Sequence, residues 1–96
     1  MNKHSMILEW DERKRESNLV NHGADFSDAA EVFADPYISI KQDAHRDYGE
    51  ERFNAYGMAA GHRMRVCFTM RGENVIRIIS MFKVHKKEWE KNYGNY

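Results

Sequence analysis

The strongest constraint on the fold is a hairpin pattern in residues 63–82. Apolar and more polar side chains alternate through its first half, with Met64, Val66, Phe68 and Met70 set against Arg63, Arg65, Cys67 and Thr69. This alternation is the period of a half-buried strand. Residues 71–74 follow with the sequence Arg-Gly-Glu-Asn, a turn signal, and residues 75–82 are rich in branched side chains. The pattern predicts two long antiparallel strands, the second of them central in a sheet.

The N-terminal part predicts a strand followed by a helix. Residues 6–10 form a short apolar run that is typical of a first strand. Asp11 offers a side-chain oxygen as an N-cap, and the charged stretch over residues 12–22 ends at Gly23, a favourable C-cap residue. We therefore expect the first helix over residues 12–22.

The remaining elements follow in chain order. They are a helix capped by Ser27 and running to about Ala34, a strand in residues 37–40, a polar loop over residues 42–51, a strand over residues 53–60 and a turn at Gly61-His62. The pair Asp35-Pro36 is expected to stop the second helix, because a residue before proline disfavours helical geometry.

A last helix is predicted from residue 83 onwards. Its apolar stripe at three- and four-residue spacing consists of Phe82, His85, Trp89, Tyr93 and Tyr96. Trp89 and Tyr93 are expected to face the core. The element order predicts one α+β domain over residues 1–96, an antiparallel sheet with two N-terminal helices and a C-terminal helix.

Composition narrows the class of protein. The chain has 96 residues, 42% hydrophobic and 31% charged, which is typical of a small globular domain. No apolar run reaches the roughly 18 residues needed to cross a bilayer, and no secretory signal is visible, so we expect a cytoplasmic protein. The single cysteine, Cys67, excludes an internal disulfide.

Charge is balanced overall but not along the chain. The net charge is zero, which argues against broad charge-driven binding of nucleic acid. Residues 63–77 nevertheless hold four arginines against one acid, whereas residues 25–35 hold four acids and no base. The sequence is therefore compatible with a basic strip on a neutral domain.

A set of residues in fixed order covers nearly the whole chain. It comprises Glu9-Trp10-Asp11, Lys14, Asn18, His22-Gly23, Phe26, Val32-Phe33, Asp35-Pro36, Asp43, His45, Glu50-Glu51-Arg52, Gly57, Thr69, Arg71-Gly72 and Arg77-Ile78-Ile79-Ser80. In this order and spacing the chain resembles the BrnT family of toxins. The resemblance implies a RelE-like fold and an endoribonuclease that cleaves RNA and arrests growth. It also implies a BrnA-like antitoxin that neutralises the toxin in a hetero-oligomer and carries it to operator DNA.

Two positions depart from the family pattern. Asn21 stands where a lysine commonly precedes the His-Gly pair, and Phe82 stands where an arginine commonly follows the Arg-Ile-Ile-Ser motif. Two cationic positions are lost. A second interpretation therefore stays open, in which the chain is catalytically impaired and acts as an antitoxin-binding partner and operon co-repressor.

Metal-free RNA cleavage requires a base for the 2′-hydroxyl, an acid for the departing 5′-oxygen and cations for the phosphate. The candidate catalytic residues are His22, His45, Glu51, Arg52, Arg71 and Arg77. Imidazole titrates near neutrality, and Asp43 lies two residues before His45, where it can orient the ring. Which residue is base and which is acid stays open.

Each assignment has a structural alternative. His22 lies at the predicted end of the first helix, where the helix dipole also favours a cation. Arg52 shares a strand face with Glu50 while Glu51 points away, so an internal ion pair is the alternative there. Arg77 interrupts an apolar strand and needs a ligand or a partner, and the alternative is a salt bridge to one of these glutamates.

The candidate RNA-binding residues are Lys14, Tyr48, Arg63, Arg65 and Ser80. For Ser80 the alternative is a buried serine that bonds backbone. Cys67, without a companion thiol, is interpreted as a packing residue. The five histidines show no spacing typical of a structural zinc site, and we expect no metal or other cofactor.

Overall fold

The computed structural model describes residues 6–44, 47 and 49–94. His45 and Tyr48 lie outside these residues. The elements in chain order are β1 (Ile7–Glu9), α1 (Glu12–His22), a 3₁₀ helix (Phe26–Asp28), α2 (Ala29–Ala34), β2 (Ser39–Gln42), β3 (Phe53–Ala59), β4 (His62–Met70), β5 (Val75–Lys83) and α3 (Lys86–Asn92). The strands form one sheet in the order β1-β5-β4-β3-β2.

The sheet is mixed, which corrects the prediction of an antiparallel sheet. Strands β2 to β5 pair antiparallel, but β1 runs parallel to β5, with Ile7 opposite Val75 and Glu9 opposite Arg77. The connection allows this pairing, because β1 leads into α1 rather than into a tight turn, and parallel strands need a crossover connection between them. The first strand thus becomes an edge beside the last one.

Helix α1 has the caps that the sequence indicates. Oδ1 of Asp11 accepts hydrogen bonds from the backbone N–H groups of Arg13 (2.9 Å) and Lys14 (3.2 Å). At the other end Gly23 adopts a left-handed conformation, φ 66°, and its N–H bonds the carbonyl of Leu19. These local contacts fix where the chain turns back toward the sheet.

The predicted Ser27 cap is wrong. Asp25 caps the 3₁₀ helix, and its Oδ1 accepts from the N–H of Ser27 at 3.0 Å. An aspartate two residues earlier is a better local acceptor for this N–H than the serine hydroxyl. Helix α2 follows directly and ends before Asp35-Pro36.

Helices α1 and α2 lie on one face of the sheet, called here the covered face. The largest side chains buried there are Phe26, Val32, Met64, Val66, Ile78 and Met81. The close approach of α2 requires Gly57, because a Cβ at this position would lie 2.8 Å from the carbonyl oxygen of Val32. The core therefore lies between this face and the two N-terminal helices.

A buried asparagine completes the edge of β5. The side chain of Asn18, from α1, donates to the carbonyl oxygens of Met81 (2.7 Å) and Ala24 (2.9 Å) and accepts from the N–H of Met81 (3.2 Å). β1 pairs only with residues 75–77 of β5, and the Asn18 side chain bonds the β5 backbone further along, at Met81. Asn18 is 7% exposed, so these three bonds are shielded from water.

The opposite side of the sheet, called here the polar face, is formed by alternate residues of the same strands. In register across it lie Asn54 with Cys67, Tyr56 with Arg65, Cys67 with Ser80 and Thr69 with Arg77. An irregularity of the register after Cys67 adds one residue to β5. This β-bulge brings Ser80 to the same face as Arg77, although strict alternation would separate them.

Helix α3 does not enter the core. It has no buried residue, and Trp89 and Tyr93 are only half-buried, so the prediction that they face the core is wrong. Their rings stack on each other with centroids 3.9 Å apart. The hydroxyl of Tyr93 donates to Asp35 at 2.8 Å, which joins the end of α3 to the end of α2.

Candidate functional site

The polar face carries a charged group at the end where β4 turns into β5. Glu50 bonds two arginines: its Oε2 accepts from Nε of Arg52 at 3.2 Å, and its Oε1 lies 3.7 Å from Nη1 of Arg71. This set of three is called here the Glu50 cluster. The Glu50–Arg52 pair is the internal ion pair that the sequence offered as an alternative, and Arg71 joins it from the hairpin turn.

Thr69 attaches this cluster to the sheet. Its hydroxyl donates to the backbone carbonyl of Glu51 at 2.6 Å, and the residue is 3% exposed. Thr69 lies opposite Arg77 in the β4–β5 register. The structure thereby brings together three of the predicted catalytic residues at one end of the polar face, namely Arg52, Arg71 and Arg77, whereas the Glu51 side chain accepts a hydrogen bond from Gln42 on β2.

Arg77 forms a salt bridge, which was its structural alternative, but the partner is Glu9 rather than Glu50 or Glu51. Its Nη1 donates to Oε2 of Glu9 at 3.2 Å, because the parallel register of β1 and β5 puts these two residues side by side. The Arg77 side chain keeps 32% of its surface exposed. The pKa of Asp11 is lowered by the N–H groups of Lys14 and Arg13 and further by the charges of Arg77 and Lys14. Both cations therefore lie near Asp11, at the start of α1.

A second group of side chains lies toward the other end of β5. The guanidinium carbon of Arg65 is 4.3 Å from the ring centroid of Phe82, and its Nη1 bonds Oε2 of Glu88 on α3. The hydroxyl of Tyr56 donates to the same Oε2 at 2.8 Å. Tyr56, Arg65, Phe82 and Glu88 are called here the Arg65 cluster.

Burial and charge set the protonation of this cluster. Burial raises the pKa of Tyr56, and its bond to Glu88 raises it further. Burial alone would lower the pKa of Arg65, but Tyr56 and Glu88 outweigh it, so its pKa is raised. At neutral pH the cluster therefore holds a neutral phenol and a guanidinium cation.

His22 does not join the Glu50 cluster. Its ring centroid lies 5.4 Å from that of Phe82, at the end of β5 away from Arg77. The two ends are separated by roughly 15 Å along the strand. A single phosphate bound by Arg77 therefore lies beyond the reach of His22.

Between the two clusters lies Cys67, which is buried as predicted for a packing residue. Burial raises its pKa, while the charges of Arg52 and Arg65 and a hydrogen bond with Ser80 act in the opposite direction. These contacts put Ser80 in the middle of the polar face. Arg63 is half-buried on the same strand, opposite Met58.

The part of the chain that the structure describes was searched for metal-binding groups and for membrane-spanning helices. No group of three or more histidine, cysteine, aspartate or glutamate side chains there is arranged to hold a metal ion. No helix there is long and apolar enough to cross a membrane.

Three residues that contact the predicted site residues were not among the candidates from the sequence. Tyr56 and Glu88 belong to the Arg65 cluster, and Glu9 pairs with Arg77. Glu9 was part of the family pattern, and a search for a partner of Arg77 within that pattern would have found it. Neither Tyr56 nor Glu88 carries a comparable signal, because their contact joins residues that are 32 positions apart.

Comparison with known proteins gives a consistent assignment. The family model described as "Ribonuclease toxin, BrnT, of type II toxin-antitoxin system" matches residues 10–88. The crystal structure of the Brucella abortus ribonuclease toxin BrnT is similar to this chain, with a TM-score of 0.62 and 28% sequence identity. The match covers 85% of this chain and 100% of that one. No curated protein matches the sequence.

Proposed function

The chain belongs to the BrnT family of ribonuclease toxins of type II toxin–antitoxin systems, and on this premise we propose that it cleaves RNA without a metal ion. The observation that carries the proposal is the convergence of Arg52, Arg71 and Arg77 around Thr69, which also bonds the backbone carbonyl of Glu51. A toxin family of this type implies an antitoxin partner. The fold is RelE-like in this proposal, and the protein acts in the cytoplasm.

Arginines supply the charge that a phosphate requires. A guanidinium has five N–H donors, and one carboxylate contact leaves several of them for a ligand. The side chains of Arg77 and Arg71 retain 32% and 55% of their surface, respectively. In our proposal these two and Arg52 bind the scissile phosphate and stabilise the charge that develops on it.

Glu51 is the group best suited to take up the proton of the 2′-hydroxyl. Its backbone is fixed by Thr69, and its exposed carboxylate accepts a 3.2 Å hydrogen bond from Gln42. The 2′-oxygen then bonds to phosphorus as the bond to the 5′-oxygen breaks. His45 remains the candidate acid for that oxygen, and a proton from water is the other source.

The remaining predicted residues line the path of the RNA beyond the scissile phosphate. Lys14 lies at the Arg77 end, Ser80 at the middle, and Arg63 and Arg65 toward the other end of β4. His22 contacts this distal part through Phe82. Tyr48, which lies outside the described residues, stays a candidate for base stacking.

One observation favours the alternative of a catalytically impaired chain. Phe82, at a position where the family pattern has an arginine, packs against Arg65 and His22 and supplies no charge. Asn21 is exposed and donates to Ser17 at 3.3 Å. In this alternative the chain binds its antitoxin and tunes operator binding without cutting RNA.

The partner in both cases is a BrnA-like antitoxin. In our proposal it neutralises the toxin within a hetero-oligomer, and the toxin reaches operator DNA only through it. Expression of the toxin without this partner separates the two functions, because growth arrest is expected for an active ribonuclease and normal growth for an impaired chain.

The direct test is incubation of antitoxin-free protein with labelled RNA in excess chelator. We expect cleavage in wild type and a loss of about 100- to 1000-fold in Arg77→Ala, the scale of one removed charge-stabilising donor. Arg13→Ala is the matched control, because Arg13 is exposed on α1 and is expected to leave the rate unchanged. Intact RNA from folded wild-type protein, with and without ribosomes, would contradict the ribonuclease and support the impaired chain.

A further inference from the structure

Two donors of the Arg65 cluster converge on one oxygen atom. The hydroxyl of Tyr56 and Nη1 of Arg65 both bond Oε2 of Glu88. Tyr56 is 5% exposed, and the ring of Phe82 fixes the plane of the guanidinium. The sheet thus presents a preformed pair of donors, one neutral and one charged, to a single anionic oxygen.

The guanidinium is not fully satisfied by this oxygen. Nε of Arg65 is buried and has no hydrogen-bond partner among the described residues. Arginine binds carboxylate and phosphate most strongly through two parallel N–H bonds, and Glu88 supplies only one of them here. A ligand with several oxygens in a tetrahedral arrangement would make better use of the same donors.

Glu88 comes from an element that is weakly embedded. Helix α3 has no buried residue, and its side chain at Glu88 keeps 36% of its surface exposed. Polar contacts join it to the rest of the protein at Glu88 and at Tyr93. Movement of the Glu88 side chain therefore exposes no apolar core.

We propose that Tyr56 and Arg65 form a second phosphate subsite for RNA, which Glu88 occupies in the free protein as an internal competitor. The subsite lies on the same face as the Glu50 cluster, roughly 15 Å along β5 from Arg77. It therefore binds a different phosphodiester from the one that is cleaved. The identification of the ligand as RNA rests on the proposed function.

Binding at this subsite requires an exchange of anions. The phosphodiester replaces the carboxylate on Tyr56 and Arg65, and Glu88 moves into water. Because Glu88 competes with the phosphate, its presence weakens the binding of RNA. Removal of its charge is expected to strengthen binding, which is the opposite of what a catalytic carboxylate predicts.

The test measures the affinity of three proteins for a 2′-O-methyl RNA oligonucleotide, which cannot be cut by attack of a 2′-hydroxyl. Fluorescence anisotropy is read at one low salt concentration. Glu88→Gln is expected to bind roughly five- to tenfold more tightly than wild type, the scale of one charge-assisted contact. Glu90→Gln removes the same charge from the same helix, where Glu90 lies 4.0 Å from Lys86, and is expected to change the affinity less than about twofold.

Two double variants assign the gain to the subsite. Glu88→Gln combined with Arg65→Met is expected to lose the gain completely, and Glu88→Gln combined with Tyr56→Phe to lose part of it. Circular dichroism checks that each variant is folded. Equal affinities of Glu88→Gln and Glu90→Gln would overturn the proposal, and so would a gain that persists without Arg65.

Cleavage assays keep this proposal separate from the proposed function. If Glu88→Gln binds like wild type but cleaves more slowly, Glu88 takes part in the chemistry and the competitor role is wrong. If wild type does not cleave RNA while Glu88→Gln gains an affinity that depends on Arg65, the ribonuclease proposal fails and the subsite stands.

Discussion

The covered face and the polar face of the sheet are made from alternate residues of the same strands. In β4, Val66 points into the core with no exposed surface, and its neighbours Arg65 and Cys67 point to the other side. In β5, Ile78 is buried against the helices, whereas Arg77 pairs with Glu9 and stays half-exposed. The covered face therefore supplies most of the free energy of unfolding. The charged groups of the polar face contribute little to it.

This comparison predicts that stability and activity separate by face. A buried apolar side chain contributes several kcal/mol, whereas an ion pair with both partners partly exposed contributes about 0–1 kcal/mol. Variants on the covered face should unfold the protein without a specific effect on RNA. Variants on the polar face should change RNA cleavage or binding in a protein of nearly unchanged stability.

The largest expected effect is that of Phe26→Ala. Phe26 has no exposed surface, so we expect the free energy of unfolding to fall by about 3–5 kcal/mol. Urea unfolding followed by circular dichroism measures it. Arg77→Ala is the contrasting variant, with an expected loss of about 0–1 kcal/mol. Equal losses in the two variants would remove the distinction between the faces.

Asn18→Ala tests the comparison of the two faces at a polar residue, because Asn18 is a buried polar side chain on the covered face. The change leaves the N–H and carbonyl of Met81 and the carbonyl of Ala24 without their side-chain partner. We expect a loss of about 1–3 kcal/mol in the same urea assay. Asn21→Ala is the matched control in the same helix, exposed to solvent, with an expected change within about 0.5 kcal/mol. A small effect at Asn18 would show that the edge of β5 tolerates water.

The smallest expected effect concerns acid pH and Asp35. Burial alone would raise its pKa, but hydrogen bonds from the N–H groups of Met58 and Tyr37 and from the hydroxyl of Tyr93 together lower it. A lowered pKa means that the ionised carboxylate stabilises the fold at neutral pH. This contribution is lost as the pH falls below about 4, through the folded pKa.

Thermal unfolding at several pH values measures this contribution. Asp35→Asn is expected to be less stable than wild type at pH 7, and the difference should shrink below about pH 4. Asp28→Asn serves as the control, because the Asp28 side chain makes no cap hydrogen bond. A difference between wild type and Asp35→Asn that is constant with pH would contradict the role of the ionised form.

Local features of the sequence predicted local features of the fold. The caps Asp11 and Gly23 and the alternation through Met64 and Val66 depend on contacts within a few residues, so they are visible in the pattern. The approach of Arg52 and Arg71 to Glu50 joins three residues of the family pattern. These parts of the fold and the site can be predicted from one amino-acid sequence.

The remaining features depend on contacts between distant segments. The parallel partner of β1, the bulge that turns Ser80 toward Arg77, and the bond between Tyr56 and Glu88 have no local signature. The helical spacing of Trp89 and Tyr93 is the same whether the two rings face the core or stack on each other, as they do here. Periodicity gives the face of a helix, but it does not say what covers that face.

The pairing of β1 with β5 also has a kinetic consequence. Glu9 and Arg77 are 68 positions apart, and their contact requires the chain between them to close into a loop. Closing so long a loop is entropically unfavourable until many other contacts have formed, and such non-local pairings slow folding. We therefore expect Arg77 to acquire its carboxylate partner late in folding, so that a partly folded chain has an incomplete polar face.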